Sequence, residues 1–208
     1  MIEIIIIGAG GYAKSVIDSI NKENYKIVGF IDDRKKGTHL GLPILSSEIL
    51  SIKNFNNYLY FIAIGDNIKR KKWYEELKRL NCGLINIIDK TSIVSPNAKL
   101  GEGCFIGKLA IINSMVNIGN NCVINTKALL EHGVKVENHV NISTNSTVNG
   151  DVIIKDGAFI GSGSIVNGQL MIEENSIVGS GAVVIRDVMK NSTVVGIPAK
   201  PLNISEED

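Results

Sequence analysis

Large rings are scarce: Phe, Tyr and Trp together make up 5% of the 208 residues. Cysteine is also rare, and Cys82, Cys104 and Cys122 are an odd number with no CxxC spacing. That pattern argues against a disulfide framework and reads as buried free thiols in a cytoplasmic protein. Charge of neither sign dominates, with 22 basic against 21 acidic residues and a net charge of +1. Nothing in that balance draws a polyanion, so nucleic acid is not an expected partner. No apolar run approaches the ~20 residues of a membrane helix. Met1-Ile2-Glu3 lacks the basic head of a signal peptide, and Ile4 to Ile7 is too short for its apolar core. Neither membrane insertion nor export is therefore predicted.

Glycine, by contrast, occurs 21 times, in a chain that is 44% apolar and 21% charged. Those proportions exclude wholesale disorder. A core with few large rings and many small residues points to a repetitive β-architecture.

Every sixth residue from Val94 to Val184 is Ile, Leu or Val, sixteen positions without a miss. Chance would give such a run with odds on the order of 1 in 10⁷. Four residues after each aliphatic stands a mostly small residue, as at Ala98, Cys104, Ala110, Cys122, Ala128, Ser146, Ala158, Ser164 and Ala182. Directly after the aliphatic, Gly or Asn recurs (Gly101, Gly107, Asn113, Gly119, Asn125, Asn149, Gly161, Asn167, Gly179), suited to a corner with positive φ. Period six is neither 2 nor 3.6. A short strand and a corner, repeated three times, close a triangular coil of 18 residues, and five such coils stack to about 24 Å. The segments before 94 and after 188 are expected to cover the pairing edges at the ends.

The first half follows another rule. Ile4–Ile7 reads as a buried strand, followed by Gly8-Ala9-Gly10-Gly11 and a helix with Val16, Ile17 and Ile20 on one side. Further strands are expected over Ile27–Ile31, Leu59–Ile64 and Leu84–Ile88, and a helix over Asn67–Leu80 with Trp73, Leu77 and Leu80 on one side. The prediction is an α/β front domain, a small Rossmann-like βαβ unit over 1–88, followed by an all-β domain over 89–208, a parallel β-helix of hexapeptide repeats. The tail Ser205-Glu206-Glu207-Asp208 reads as a solvated end. The Gly8-x-Gly10-x-x-Ala13 turn resembles a dinucleotide fingerprint, and Asp32-Asp33 follow about 20 residues on. About 85 residues supply only half of a dinucleotide site. Gly8, Gly10, Gly11, Asp32 and Asp33 are thus candidates for binding an anion, a nucleotide or a sugar acid.

Of three histidines, His39 lies in a Gly/Thr-rich loop and is read as surface. His132 follows the inward Leu130 by two residues and so sits at a corner, with Gly150 above it, one coil of 18 residues on. A base beside a backbone N–H is a minimal acyl-transfer site; the alternative is a plain polar corner. His132 and His139 could ligate a metal only across an interface, and with no third histidine in the coils no metal is predicted.

The hexad clock, Glu131-His132-Gly133, Asn141-Ile142-Ser143-Thr144-Asn145, Asn149-Gly150-Asp151 and Val195-Gly196-Ile197-Pro198-Ala199-Lys200 together resemble the left-handed β-helix acyltransferases. The front-domain turn narrows the resemblance to sugar acyltransferases with a Rossmann-like front domain. Ile87-Ile88-Asp89-Lys90-Thr91 and Val166-Asn167-Gly168-Gln169-Leu170 narrow it further, to the sialic acid O-acetyltransferases of the NeuD type. This resemblance implies left-handed coiling, a homotrimer, and acetyl-CoA lying between adjacent prisms. It makes His132 the general base, Gly150 the oxyanion donor and Glu131 a candidate to orient the ring. Asn141, Gly161, Ser162, Gly179, Ser180, Gly196 and Lys200 would line the coenzyme. Related nucleotide-amino-sugar N-acetyltransferases carry an acid where this chain has Gly133 and a histidine where it has Asn141. The expected acceptor is therefore a hydroxyl of sialic acid, free or CMP-activated. The alternative is the amine of a nucleotide-linked 4-amino-4,6-dideoxy sugar. A non-catalytic prism and a γ-type carbonic anhydrase are further readings of the same build.

Overall fold

The computed structural model describes residues 1–202, so the Ser205–Asp208 tail lies outside the described residues. The front domain is built on a six-stranded sheet of order β3-β4-β2-β1-β5-β6. Its strands are β1 (Ile2–Ile7), β2 (Tyr25–Ile31), β3 (Thr38–His39), β4 (Leu42–Ser46), β5 (Leu59–Ile62) and β6 (Gly83–Leu84). All neighbours run parallel except the edge pair β3 and β4. The four consecutive isoleucines of β1 are buried because the sheet is covered on both faces. On one side Ile4 and Ile6 meet Ala13 and Val16 of α1 (Gly11–Ser19); on the other Ile5 and Ile7 meet Leu77 of α2 (Asn67–Arg79).

From Ile87 the chain coils into a three-sided parallel prism. Face 1 stacks the two-residue strands that begin at 87, 105, 123, 141, 159 and 177, ending on Thr193–Val195; face 2 those at 93, 111, 129, 147, 165 and 183; face 3 those at 99, 117, 135, 153 and 171. Partners stand one coil apart, as in Phe105↔Val123, Leu129↔Thr147 and Lys135↔Ile153. The aliphatics of the six-residue clock point inward. All are buried from Ile106 to Val184; only Val94 and Leu100, in the first coil, are half-exposed. The small residues fill the space beneath them, and Cys104, Ala110, Cys122, Ala128, Ser146, Ala158, Ser164 and Ala182 are all buried. At the top Thr193 follows its partner Ile177 after only sixteen residues, and Lys200–Pro201 then folds back antiparallel over the face 1 edge.

Three expectations need correction. The single strand over Leu84–Ile88 is two: Gly83–Leu84 closes the front sheet, whereas Ile87–Ile88 pairs with Phe105–Ile106 as the first rung of the prism. Asn86 makes the break between them, its amide donating to the Gly101 carbonyl (2.7 Å) and accepting from Cys104 N–H (2.8 Å). The positive φ of the corners does not fall directly after the aliphatic. It falls two residues later, at 103, 109, 115 and every sixth position to 181. The glycines just after the aliphatic answer a different demand, the close approach of the coil above. A Cβ at Gly161 would lie 2.5 Å from Ser180 N, and one at Gly107 2.8 Å from Thr126 N. Lastly, His39 is half-buried, its ring edge-on to Phe30 at 5.4 Å.

The two parts share one core. Phe105 and Val123, outward on face 1, pack with Ile4, Ile6, Phe30 and Phe61. Arg70 of α2 is fully buried and points into the prism. Its Nε donates to Asn121 O (3.1 Å), Nη2 to His139 O (2.9 Å) and Asn67 Oδ1 (2.9 Å), and Nη1 to Ile64 O and Gly65 O (both 3.3 Å). Burial holds its pKa below the usual guanidinium value, and among the described residues no carboxylate is hydrogen-bonded to it.

Candidate active site

The corner between faces 2 and 3 carries His132. Its side chain is 68% exposed, so it is free to meet a ligand or a neighbouring molecule. The imidazole lies over Gly150 of the next coil, where a Cβ would come within 2.5 Å of Cε1 and 2.7 Å of Nε2. Gly150 O accepts from Gln169 N–H (2.9 Å), and its own N–H donates to nothing among the described residues. The expected base and amide donor are thus stacked. Glu131 is turned toward another partner: its Oε2 accepts from Asn113 Nδ2 (3.1 Å), one coil below. The carboxylate nearest the imidazole is Asp151, whose Oδ2 stands 4.0 Å from His132 Nδ1. The sequence reading missed it. The 18-residue step that found Gly150 above His132 also places Asp151 above Gly133.

The other candidates in the prism stand elsewhere. Gly161, Ser162, Gly179 and Ser180 occupy the corner between faces 1 and 2, the far end of face 2 from His132. Ser162 and Ser180 are exposed. Gly196 (φ +94) and the exposed Lys200 lie at the top, in the segment that folds back over face 1. Asn141 is buried on the outer side of face 1, against the front domain. Within one chain His132 and these residues are not brought together.

His139 is at the third corner, buried against α2 of the front domain. Nδ1 lies 2.9 Å from Asn121 Nδ2, and the ring meets Tyr74 edge-on at 5.2 Å. Burial, helped by the Lys71 charge, pushes its pKa down to about 4. An imidazole kept neutral when folded but titrating near 6.5 when unfolded contributes stability that is complete above about pH 6.5 and is lost as the pH falls toward about 4. Across that window His139→Asn is expected to flatten the pH dependence of unfolding by up to about 1.4 kcal/mol per pH unit. Urea melts at stepped pH check this, and parallel curves for the two proteins would count against it. Among the described residues no three His, Cys, Asp or Glu side chains gather as a metal-binding group.

The front domain holds a cleft of about 570 Å³ at the start of α1, lined by Gly8, Gly10, Gly11, Asp32, Asp33, Lys69, Lys72 and Trp73 among others. Gly8 is demanded by the fold: φ is +93 and a Cβ would lie 2.9 Å from Ala63 O. Gly10 and Gly11 are not, for a Cβ at either would meet nothing within 4 Å. The first turn of α1 has no side-chain cap, so its amides face the open cleft. Asp32 is tied to the backbone, accepting from Ala9 N–H (2.7 Å) and from Arg34 and Lys35 N–H (both 2.9 Å). Burial alone would raise its pKa; those three bonds and Lys35 outweigh it and hold the carboxyl below its usual range. Asp33 is exposed at the rim. A smaller cavity of about 260 Å³ shares Gly11, Tyr12 and Gly65 with this cleft and runs to Asn125 and Asn141 on face 1. The end of the cleft at the start of α1 thus opens toward the prism.

Residues 3–77 match the model of the PglD N-terminal domain. The Caulobacter crescentus protein PerB, solved in complex with CoA and GDP-perosamine, is 30% identical over 97% of both chains, with a TM-score of 0.89. The chain belongs to the hexapeptide-repeat sugar acetyltransferases. The acetyltransferase domain of PglB from Neisseria gonorrhoeae, solved with acetyl coenzyme A, is 28% identical over 96% of this chain and 98% of that one, with a TM-score of 0.91. A UDP-N-acetylbacillosamine N-acetyltransferase of Bacillus subtilis is 33% identical over 113 residues, 51% of each protein. The chain spans about half of one and about a fifth of another of the curated relatives it matches. Membership of the hexapeptide-repeat sugar acetyltransferases accounts for the Rossmann-like front domain and gives the prism its left hand. It does not reach the narrower sialic acid O-acetyltransferase assignment, because none of these relatives is named for sialic acid.

Proposed function

We propose that the protein moves an acetyl group from acetyl-CoA to the free amine of a nucleotide-linked amino sugar. The observation that carries this reading is the front-domain cleft. It offers uncapped helix amides, two lysines (Lys69, Lys72), and glycines at 10 and 11 that nothing in the fold requires. Such a site suits a diphosphate, with room for a nucleoside beside Trp73. The names of similar proteins, which describe GDP-perosamine and UDP-bacillosamine chemistry, support the same acceptor class. The order of the sequence expectation is thereby reversed, and sialic acid becomes the runner-up.

In this reading residues 1–86 hold the nucleotide and the prism, which begins at Ile87, performs the transfer. The sugar reaches from the cleft toward Asn141. His132 stands at a different corner, so a neighbouring copy supplies it. The outward side of face 2 is fit to be that contact: Ile93, Ile111, Leu129, Ile165 and Val183, interrupted once by Thr147, form a mostly apolar ladder of which Ile93 and Ile165 are exposed. A closed ring of three prisms would place His132 of one beside the small residues Gly161, Ser162, Gly179 and Ser180 of another, where a slender thioester arm fits. The exposed Lys200 would meet a phosphate of the coenzyme. We place the reaction in the cytoplasm, where acetyl-CoA and nucleotide sugars are made.

The amine attacks the thioester carbonyl, forming C–N and breaking C–S. His132 Nε2 takes the proton that the nitrogen loses and passes it to the departing thiolate. Gly150 N–H meets the oxyanion. Attack is direct, because all three cysteines are buried in the core. Incubation with labelled acetyl-CoA and, in turn, a nucleotide-linked 4-amino sugar, free sialic acid and CMP-sialic acid tests the assignment. Label is expected on the amino sugar alone; transfer to either sialic acid instead would overturn it.

A further inference from the structure

Four residues form a crossed block at the corner between faces 2 and 3: His132 and Gly133 on one coil, Gly150 and Asp151 on the next. The His132 ring covers Gly150, and the Asp151 carboxylate covers Gly133, where a Cβ would overlap Oδ1. Each functional side chain fills the space left by the other coil's glycine, so the two lean toward each other. Asp151 N–H donates to His132 O (3.0 Å), which locks the two backbones in register. We propose that Asp151 is the positioning residue for His132, a role that rests on His132 serving as the base.

The Oδ2 to Nδ1 separation of 4.0 Å is longer than a hydrogen bond. Both side chains are more than half exposed, 68% and 57%, so a small rotation closes the gap without disturbing the core. No other carboxylate lies within ion-pair reach of His132 among the described residues, and Glu131 is held by Asn113. A carboxylate at Nδ1 keeps the proton on that nitrogen and leaves the Nε2 lone pair for the incoming proton of the acceptor. It also steadies the imidazolium once that proton arrives. Gly133 belongs to the same device: any side chain there would evict the carboxylate.

The test combines ring-nitrogen NMR with kinetics on the full chain. Asp151 is exposed with φ of +60, a conformation Asn tolerates, so Asp151→Asn is expected to fold normally. In ¹⁵N-histidine-labelled protein without substrates at about pH 8, the His132 signals should show the Nδ1–H tautomer. In D151N they should revert to the free-imidazole mixture, in which Nε2–H predominates. D151N should also lower kcat by about 10- to 100-fold with both KM values within about twofold, and D151E should restore part of kcat. A tautomer unchanged by D151N overturns the proposal whatever happens to activity. If the tautomer responds but no acceptor is acetylated by the unmodified enzyme, the contact stands and the transferase reading falls.

Discussion

His132→Ala is expected to lower turnover by about 10²- to 10⁴-fold, the usual contribution of a general base. Affinity for CoA should stay nearly intact, and so should the fold. The ring is exposed at a corner and its removal uncovers only Gly150, so no core contact is lost. Steady-state kinetics with a nucleotide-linked amino sugar, together with calorimetric CoA binding, separate these effects. Full activity in the variant would remove the base from the mechanism. Loss of CoA binding along with activity would instead mark His132 as part of the coenzyme site.

The second large effect concerns stability. Arg70→Met should destabilise the protein by about 2–6 kcal/mol, from roughly 1–3 kcal/mol for each of the two deeply buried carbonyls, of Asn121 and His139, that lose their donor. The guanidinium is the donor for carbonyls of Ile64, Gly65, Asn121 and His139, all at the junction of front domain and prism. Methionine fills similar volume and offers none of those donors, so the Asn121 and His139 carbonyls are left buried and unpaired, while those of Ile64 and Gly65 lie nearer the surface. Arg70→Lys should recover little, because one ammonium cannot span acceptors on both sides of the junction. Chemical denaturation followed by Trp73 fluorescence is a suitable measure. Wild-type midpoints in both variants would mean that apolar contacts around Phe105 and Val123 alone hold the two parts together.

Much of this molecule is legible in its sequence because a β-helix repeats one physical solution at fixed intervals. Inward aliphatics, small residues beneath them and the stacking of Gly150 on His132 all follow from counting by six and eighteen. Arg70 is illegible for the opposite reason. In the run Lys69-Arg70-Lys71-Lys72 it looks like any solvated base, and only the packing of α2 against the prism distinguishes it. Glu131 misleads similarly: adjacency in sequence suggests a partner for His132, yet its carboxylate turns to Asn113 one coil below, and the carboxylate within ion-pair reach of the ring, Asp151, comes from the coil above. The corner glycines looked alike, but some answer close approach (Gly107, Gly161) and others positive φ (Gly103, Gly133), a difference set by their place in the hexad. The antiparallel pair β3 and β4 does not announce itself because β3 is only Thr38-His39 and Pro43 breaks up the apolar Leu42, Ile44 and Leu45 of β4.

Strict pairing at intervals of eighteen has a consequence for how such a chain can change in length. Deleting or adding one residue in the middle of the column would turn every aliphatic above it by part of a side and strand the isoleucines in water. Viable growth or shrinkage is therefore quantised, one whole turn at a time. The site near residue 132 could drift along the axis only in steps of about 4.8 Å, and finer adjustment is left to the irregular ends, such as the shortened turn below Thr193.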